Sequence, residues 1–298
     1  MLWQIRRMDI NFKCLECGIH NFVKLLDENS IDSDSQKVAM KDFLSYLSNL
    51  DFSLSPPVMS KYYHKGIREL LHNDDPYYEK KRFYNKKILS EYDNFLSLIR
   101  KTDNPLRASF MLTLAGNIID FGPNQDYDIE ETIYSSLNQS LVIDHYSSLI
   151  NDISSASLIL YLLDNAGEIV FDKLFIERLI ESRMVDRKKI VAVTRGTPVI
   201  NDATIEDAKE VGLTELVKVI DTGDCTPGII FEDSSEEFNK YFNSADLIIS
   251  KGQGNFETLH GLNINNIYFL LIVKCPLIGD ILNVPTGSFV CMKSGEDK

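Results

Sequence analysis

Apolar and polar positions follow two different patterns along the chain, and the change comes near residue 155. Before it, apolar residues recur three and four positions apart, a spacing typical of amphipathic helices. This spacing predicts helices at residues 42–50, 88–99, 106–119 and 129–153, the last span allowing one or two. We therefore expect residues 1–155 to form a helical domain.

After residue 155, short apolar runs alternate with segments of helical spacing. The apolar runs predict five strands, at residues 157–163, 189–194, 216–221, 246–250 and 266–273. The intervening helical spacing covers residues 168–181, 205–211 and 236–242. Strands separated by helices predict βαβ units and a parallel, doubly wound sheet. The expected fold class is α/β, with residues 156–298 as the α/β domain.

Composition narrows the function classes. The chain has 298 residues and a net charge of −13, from 31 basic and 44 acidic side chains. This acidic excess argues against a nucleic-acid binder and against binding to an anionic membrane surface. No apolar run approaches the roughly 18–20 residues that span a bilayer. The first residues lack the apolar core of a signal peptide, and five cysteines are no disulfide framework, so we expect a cytoplasmic protein.

Polar residues stand where the predicted strands end, which is where open α/β sheets bind ligands. Asp164 and Asn165 follow the first strand and Asp202 follows the second. Their oxygen atoms suit a hard divalent cation such as Mg²⁺ or Mn²⁺. Lys251 and Lys274, after the fourth and fifth strands, are predicted to meet phosphate oxygens. The alternative is that the acidic and amide residues are helix N-caps and the glycines form turns.

Several familiar catalytic motifs are missing. The chain has no Walker A loop, and no G-x-G-x-x-G follows the first predicted strand. It also lacks a G-x-S-x-G nucleophile elbow and an H-E-x-x-H zinc motif. These absences disfavour a dinucleotide site, a serine hydrolase and a His-rich zinc hydrolase.

Five polar segments carry a recognisable combination of motifs: Leu163-Asp164-Asn165-Ala166-Gly167-Glu168, Asn201-Asp202-Ala203-Thr204, Lys251-Gly252-Gln253-Gly254-Asn255, Gly116-Asn117-Ile118-Ile119-Asp120 and Lys274-Cys275-Pro276. Together they resemble the damage-control phosphatase family, also known as domain of unknown function 89. The pair Cys14 and Cys17 resembles the N-terminal C-x-x-C of the family's prokaryotic branch. The resemblance covers nearly the whole chain, and its segments stand in the family's order.

The resemblance implies a helical region on a Rossmann-like α/β/α domain. It also implies a metal-dependent phosphatase for small phosphorylated metabolites, such as sugar phosphates or damaged cofactor intermediates. The family's metal ligands fall on Asp164, Asn165 and Asp202, with Mg²⁺ or Mn²⁺, and also Co²⁺ or Ni²⁺, as candidate ions. Its substrate-contacting residues fall on Asn117, Asp120, Lys251, Gly252, Asn255 and Lys274.

Two chemical routes and two other functions stay open at this point. Asp164 and Asp202 are the expected catalytic residues, through a metal-activated water or through an aspartyl phosphate on Asp164. The alternative functions are an S-adenosylmethionine-dependent carboxyl methyltransferase and a non-catalytic metal- or phosphate-binding protein. The sequence shows no glycine-rich loop suited to S-adenosylmethionine.

A few further residues have two interpretations. Glu168 is a further candidate substrate-site residue, where it supports Asn165 or a water, and the alternative is a first-turn acid that the helix dipole favours. Asn201, directly before Asp202, is a candidate substrate contact, whereas Arg195 fits a solvated loop charge better than a phosphate ligand. Cys14 and Cys17, with His20 three residues on, have zinc-like spacing, and Cys275 is a candidate fourth ligand if the fold brings it close. The alternative is that the two cysteines are inert thiols.

Overall fold

A computed structural model describes residues 8–29, 31–118, 135–137 and 139–296. Its N-terminal part is helical, and the sequence provides the helix starts. The Asn11, Asp32 and Asn104 side chains accept backbone N–H groups at helix N-termini, and Pro56 and Pro105 occupy first-turn positions. The helices are α1 (Phe12–Glu28), α2 (Ser33–Ser48), α3 (Pro56–Leu71), α4 (Tyr78–Ser90), α5 (Tyr92–Arg100) and α6 (Pro105–Ala115), followed by a 3₁₀ turn (Gly116–Ile118).

The C-terminal part alternates strands and helices. Its strands are β1 (Leu141–Asp144), β2 (Ile159–Leu162), β3 (Ile190–Thr194), β4 (Lys218–Asp221), β5 (Leu247–Lys251), β6 (Ile267–Ile272) and β7 (Phe289–Lys293). Its helices are α7 (Tyr146–Ser155), α8 (Glu168–Glu181), α9 (Ile205–Glu210), α10 (Leu213–Leu216), α11 (Glu236–Ser244), α12 (Gln253–Leu259) and α13 (Pro276–Leu282), with a 3₁₀ turn at Arg187–Lys189.

The strands form one mostly parallel sheet in the order β1-β7-β6-β5-β2-β3-β4. Strand β7 is antiparallel to β6, and β1 pairs in parallel with β7. The chain leaves β2 toward β3 and β4 on one side, then crosses back to place β5 and β6 on the other. The carboxyl ends of β2 and β5 therefore flank the point where the winding reverses, which is where open α/β sheets bind ligands.

Apolar residues pack on both faces of the sheet. Strands β2, β3, β5 and β6 are buried along their whole length, as expected for central parallel strands. Tyr161 joins one face together with Phe110 of α6 and Phe171 of α8. Leu160 joins the opposite face together with Phe256 of α12. The α/β class and the mainly parallel sheet predicted from the sequence are confirmed.

Three sequence predictions need correction. The span 129–153, predicted helical, contains strand β1. This strand is four residues long and only half-buried, so its alternation of apolar and polar residues is too short to be recognised in the sequence. Strand β7 was not predicted. The helical spacing of 88–99 is interrupted at Glu91, where α4 ends and α5 begins.

Helices α1 to α3 share an apolar cluster of their own, which includes Phe22, Phe43, Met59 and Ile67. Helices α5 and α6 pack instead into the core on one face of the sheet. The division into 1–155 and 156–298 stays a prediction. Within the described ranges, no helix is long and apolar enough to cross a membrane.

Candidate active site

The loops that follow β2 and β3 are joined by backbone hydrogen bonds. The Ala203 N–H donates to the Asp164 carbonyl at 2.7 Å, and the Ala166 N–H donates to the Asn201 carbonyl at 2.8 Å. Asn165 and Asp202 consequently face each other as an isolated β-bridge. The structure thus brings together the predicted metal ligands Asp164, Asn165 and Asp202 from two separate strand ends.

Two amide side chains orient the Asp164 carboxylate. The Nδ2 atoms of Asn117 and Asn165 donate to Asp164 Oδ2 at 2.8 and 2.7 Å. The same two atoms donate to Glu168 Oε2 at 2.9 and 3.0 Å. Glu168 is fully buried in the first turn of α8, so its carboxylate supports Asn165, as one of its two sequence interpretations holds.

Two glycines allow this close packing. A Cβ atom at Gly252 would lie 1.9 Å from Asp164 Oδ2, and the backbone there has a φ of 78°. A Cβ at Gly116 would lie 2.9 Å from the Phe171 ring and 3.1 Å from Glu168 Cα. Gly252 thus lets the loop after β5 lie against the Asp164 carboxylate, and Gly116 lets the turn bearing Asn117 approach α8.

The site concentrates negative charge in a buried place. Burial raises the pKa of the Asp164 carboxyl to about 7, and the charges of Glu168 and Asp202 act in the same direction. The charges of Lys274 and Arg195 oppose this increase. Burial also raises the pKa of Asp202, against the ion pair with Arg195. A bound cation would relieve this crowding of carboxylates.

The residues present fit a hard divalent cation. Asn117 is buried, and its Oδ1 atom has no hydrogen-bond partner among the described residues, whereas its Nδ2 is used twice. The surrounding donors are carboxylate and amide oxygens, which Mg²⁺ and Mn²⁺ prefer. In the described part of the chain, no three His, Cys, Asp or Glu side chains form a metal-binding group. The predicted set includes the amide Asn165 and thus has two such side chains, Asp164 and Asp202.

Lys251 lies deeper than the sequence suggested. Its ammonium donates to the Thr113 carbonyl at 3.0 Å and to Asp172 at 2.9 Å, and it also forms an ion pair with Glu168. Burial alone would lower the pKa of Lys251, but the charges of Asp172 and Glu168 raise it above its ordinary value. Since these three partners use its three N–H groups, the placement does not favour direct contact with a phosphate.

Arg195 is a buried ion-pair residue, so its interpretation as a solvated loop charge is wrong. Its Nε donates to Asp202 Oδ2 at 2.6 Å, and its Nη1 donates to the Gly228 carbonyl at 2.9 Å. Its Nη2 donates to Asn255 Oδ1 at 2.9 Å. Asn255 is fully buried and also donates to the Lys251 carbonyl, so it positions Arg195 and the loop after β5.

The remaining predicted residues fall in different places. Lys274 is exposed, and its charge lowers the pKa of Asp164, so it acts electrostatically on the site. Its backbone N–H donates to Gln253 Oε1 at 3.1 Å. Asn201 is buried and holds the Asp164 loop through its carbonyl. Asp120 lies outside the described residues.

The fold does bring Cys275 near Cys14 and Cys17. Burial is the main cause that raises the pKa of both N-terminal thiols, and the charges of Cys275 and Glu257 add to it. All three cysteines are free thiols. In the described part of the chain these thiols belong to no group of three His, Cys, Asp or Glu side chains that could hold a metal, so the structure does not support the predicted structural metal there.

Sequence reasoning missed a second layer of buried polar residues. Lys81 and Asn85 of α4 contact Asp207 of α9, and Asp172 of α8 contacts Lys251. The sequence did contain one sign of the role of Asp207, because Thr204 and Asp207 have the spacing of a capping box. The structure shows this capping box at the start of α9. Helix α4 itself is rich in charged residues and gives no local sign that Asn85 is buried.

Three proteins compared with the chain are similar to it over most of their length. A Pyrococcus horikoshii protein named damage-control phosphatase is 34% identical over 289 residues, covering 96% of this chain and 99% of its own. An Archaeoglobus fulgidus protein of the same name is 32% identical over 232 residues, covering 76% and 78%. An uncharacterized Methanocaldococcus jannaschii protein is 38% identical over 290 residues, covering 94% of each.

Family and structure comparisons agree with these similarities. The family model described as the damage-control phosphatase ARMT1-like domain matches residues 10–290. The crystal structure of a DUF89 family protein from Pyrococcus horikoshii, at 2.04 Å resolution, superposes with a TM-score of 0.87 at 34% identity. That alignment covers 96% of this chain and 99% of the crystallised one.

Proposed function

Because the chain belongs to the damage-control phosphatase family, we propose that it is a divalent-metal-dependent phosphatase that hydrolyses small phosphorylated metabolites. Sugar phosphates and damaged cofactor intermediates are the proposed substrate class. Mg²⁺ or Mn²⁺ is the proposed metal, with Co²⁺ or Ni²⁺ as substitutes. The cytoplasm is the proposed location.

One observation carries the proposal: the joined loops place Asp164, Asn165 and Asp202 together at the carboxyl edge of the sheet. The raised pKa of Asp164 supports the same site, and so does Asn117 Oδ1, which is buried and has no hydrogen-bond partner among the described residues. A site with several buried oxygens and excess negative charge favours a divalent cation, and the cation in turn attracts a phosphate.

In this mechanism Asp164, Asn165 and Asp202 hold the metal. When bound, the metal withdraws charge from a phosphate oxygen and lowers the pKa of a water ligand. Both amide donors use Asp164 Oδ2, and neither donates to Oδ1, so Oδ1 is the oxygen that would bind the metal. The Lys274 ammonium, exposed and within electrostatic reach of Asp164, stabilises the charge of the substrate phosphate.

The buried ion pairs fix this geometry. Lys251 holds Glu168, and Glu168 accepts the Asn117 and Asn165 amides, which aligns both on Asp164. Arg195 holds Asp202 from the opposite side. The alternative mechanism is the aspartyl-phosphate route, in which Asp164 attacks the phosphorus itself. A substrate made chiral at phosphorus by oxygen isotopes separates the routes, because one displacement by water inverts the configuration at phosphorus, whereas two displacements through an aspartyl phosphate retain it.

The test of the function is phosphate release from a panel of sugar phosphates and p-nitrophenyl phosphate. Each substrate is assayed with Mg²⁺, Mn²⁺, Co²⁺ or Ni²⁺ and with a chelator. We expect metal-dependent release that Asp164→Asn and Asp202→Asn abolish. The matched control is Asp103→Asn, which changes an exposed loop carboxylate and should keep full activity.

Other outcomes contradict the proposal. Full activity in both site variants would refute the assigned metal ligands. Saturable S-adenosylmethionine binding without hydrolysis would support the methyltransferase, and metal or phosphate binding without turnover would support a binding protein.

A further inference from the structure

Asn85 of helix α4 is completely buried beside the loop that bears Asp164 and Asn165. Its Oδ1 atom accepts the Gly167 N–H at 2.6 Å. Gly167 is the N-cap residue of α8, two positions after Asn165, and has a φ of 79°. The Asn85 side chain therefore fixes the turn between the first predicted metal ligands and the helix that carries Glu168.

The other end of the same amide reaches the second loop. Asn85 Nδ2 donates to Asp207 Oδ1 at 2.9 Å and to Glu210 Oε2 at 3.1 Å, both on α9. The Asp207 carboxylate also accepts the Thr204 backbone N–H at 2.8 Å, which caps α9 two residues after Asp202. One side chain thus connects the two loops that supply the metal ligands.

The surrounding charges make Asn the residue type that fits here. The position needs an acceptor toward the Gly167 N–H and donors toward the carboxylates of Asp207 and Glu210, and a primary amide supplies both. Lys81 lies on the same helix and pairs with Asp207 at 3.3 Å, which balances part of the negative charge. An Asp at position 85 would keep the acceptor but would face two carboxylates.

We propose that Asn85 is a positioning residue that holds the Asp164 and Asp202 loops at the separation required to bind the metal. The proposal rests on the proposed metal-dependent phosphatase function. Asn85 acts through Gly167 and Asp207 and makes no contact with Asp164 or Asp202 in the described hydrogen bonds. Loss of the amide should therefore lower the affinity for metal more than the affinity for substrate.

The test compares Asn85→Ala, Asn85→Asp and the double variant Asn85→Asp/Asp207→Asn. The double variant restores a donor opposite the new carboxylate, because the amide introduced at position 207 can donate where the Asp207 carboxylate accepted. The control is Asn94→Ala, which removes an exposed amide on the neighbouring helix α5. The readouts are kcat, KM, the metal concentration for half-maximal activity, metal affinity by calorimetry and the thermal midpoint, with activity and affinity measured well below that midpoint.

We expect Asn85→Ala and Asn85→Asp to raise the half-maximal metal concentration at least tenfold and to change KM less than threefold. The double variant should recover at least a third of the lost metal affinity, and Asn94→Ala should match the wild type in metal affinity.

A folded Asn85→Ala with a lower thermal midpoint but unchanged metal affinity would show a purely structural role and overturn the proposal. If one of the three Asn85 variants does not fold, the metal affinities of the other two, compared with the wild type, test the proposal. An inactive wild type would instead refute the proposed function, while calorimetry still tests whether Asn85 sets metal affinity.

Discussion

Arg195 Nε donates to Asp202 Oδ2 at 2.6 Å, and both side chains are buried at the edge of the sheet. The guanidinium also holds Asn255 of α12 and the Gly228 carbonyl, so segments that follow β3, β4 and β5 meet on one cation. This arrangement keeps one carboxylate of the site paired, while Asp164 lacks an equally close cationic partner among the described contacts.

Removal of Arg195 should therefore destabilise the protein strongly. Arg195→Ala leaves the Asp202 carboxylate buried without its partner, and breaking such pairs typically costs about 3–5 kcal/mol. Urea unfolding followed by circular dichroism measures the change in the free energy of unfolding. The control is Arg100→Ala, at the exposed end of α5, for which we expect a change within about 0.5 kcal/mol. Equal stability of both variants would mean that the buried pair contributes little.

Metal binding should strengthen as pH rises toward 7. Burial raises the pKa of Asp164 to about 7, so below that pH the folded, metal-free carboxyl holds a proton that the metal must displace. One displaced proton predicts about a tenfold loss of affinity for each pH unit below 7 and a plateau above it. Titration calorimetry with Mn²⁺ at several pH values gives the slope. A flat profile between pH 5.5 and 7.5 would contradict the protonated state of Asp164.

The metal-free protein should show the corresponding effect on stability. A carboxyl with a pKa raised in the folded state binds its proton there between about pH 4 and 7, whereas the unfolded chain has already lost it. The contribution of Asp164 to the free energy of unfolding is thus highest at low pH and falls as pH rises through this window. Saturating Mn²⁺ should remove most of the decline. The unfolding free energy at pH 5 and 7.5, with and without Mn²⁺, checks the sign.

Lys251 and Lys274, both predicted from the sequence to meet phosphate oxygens, should respond differently to substitution by methionine. Lys251→Met leaves Glu168 and Asp172 as buried carboxylates without a cation, which predicts a loss of about 3–5 kcal/mol of stability. Lys274→Met changes an exposed side chain, so we expect normal stability but a KM for phosphorylated substrates that is raised about tenfold. Thermal unfolding and steady-state kinetics on both variants make the comparison. The assignment fails if Lys274→Met leaves KM unchanged.

The positions of the predicted metal ligands could be anticipated because buried strands are readable as apolar runs. Asp164, Asn165 and Asp202 follow such runs, and parallel strand ends meet at one edge. The burial of the charged residues could not be predicted from the sequence. Arg195 and Lys251 are surrounded by partners from distant segments, such as Asn255 and Thr113, and no local spacing encodes those contacts. The short strand β1 was not predicted for a related reason, because it is held in the sheet by pairing with β7 near the end of the chain.

Gly252 offers a sharp test of the site because the chain contains a matched glycine. Gly252 and Gly287 have φ values of 78° and 85°, which other residues rarely adopt, so an alanine at either position is strained. At Gly252, where ψ is 167°, this strain costs about 1–3 kcal/mol. A Cβ at Gly252 would also lie 1.9 Å from Asp164 Oδ2, whereas at Gly287 no atom lies within 4 Å. We expect both variants to lose stability from strain, while Gly252→Ala alone displaces the Asp164 carboxylate and lowers metal-dependent activity at least a hundredfold. Thermal unfolding measures the loss of stability in each variant, and metal titration of the activity measures the displacement. Comparable metal affinity in the two variants would show that the loop after β5 does not set the position of Asp164.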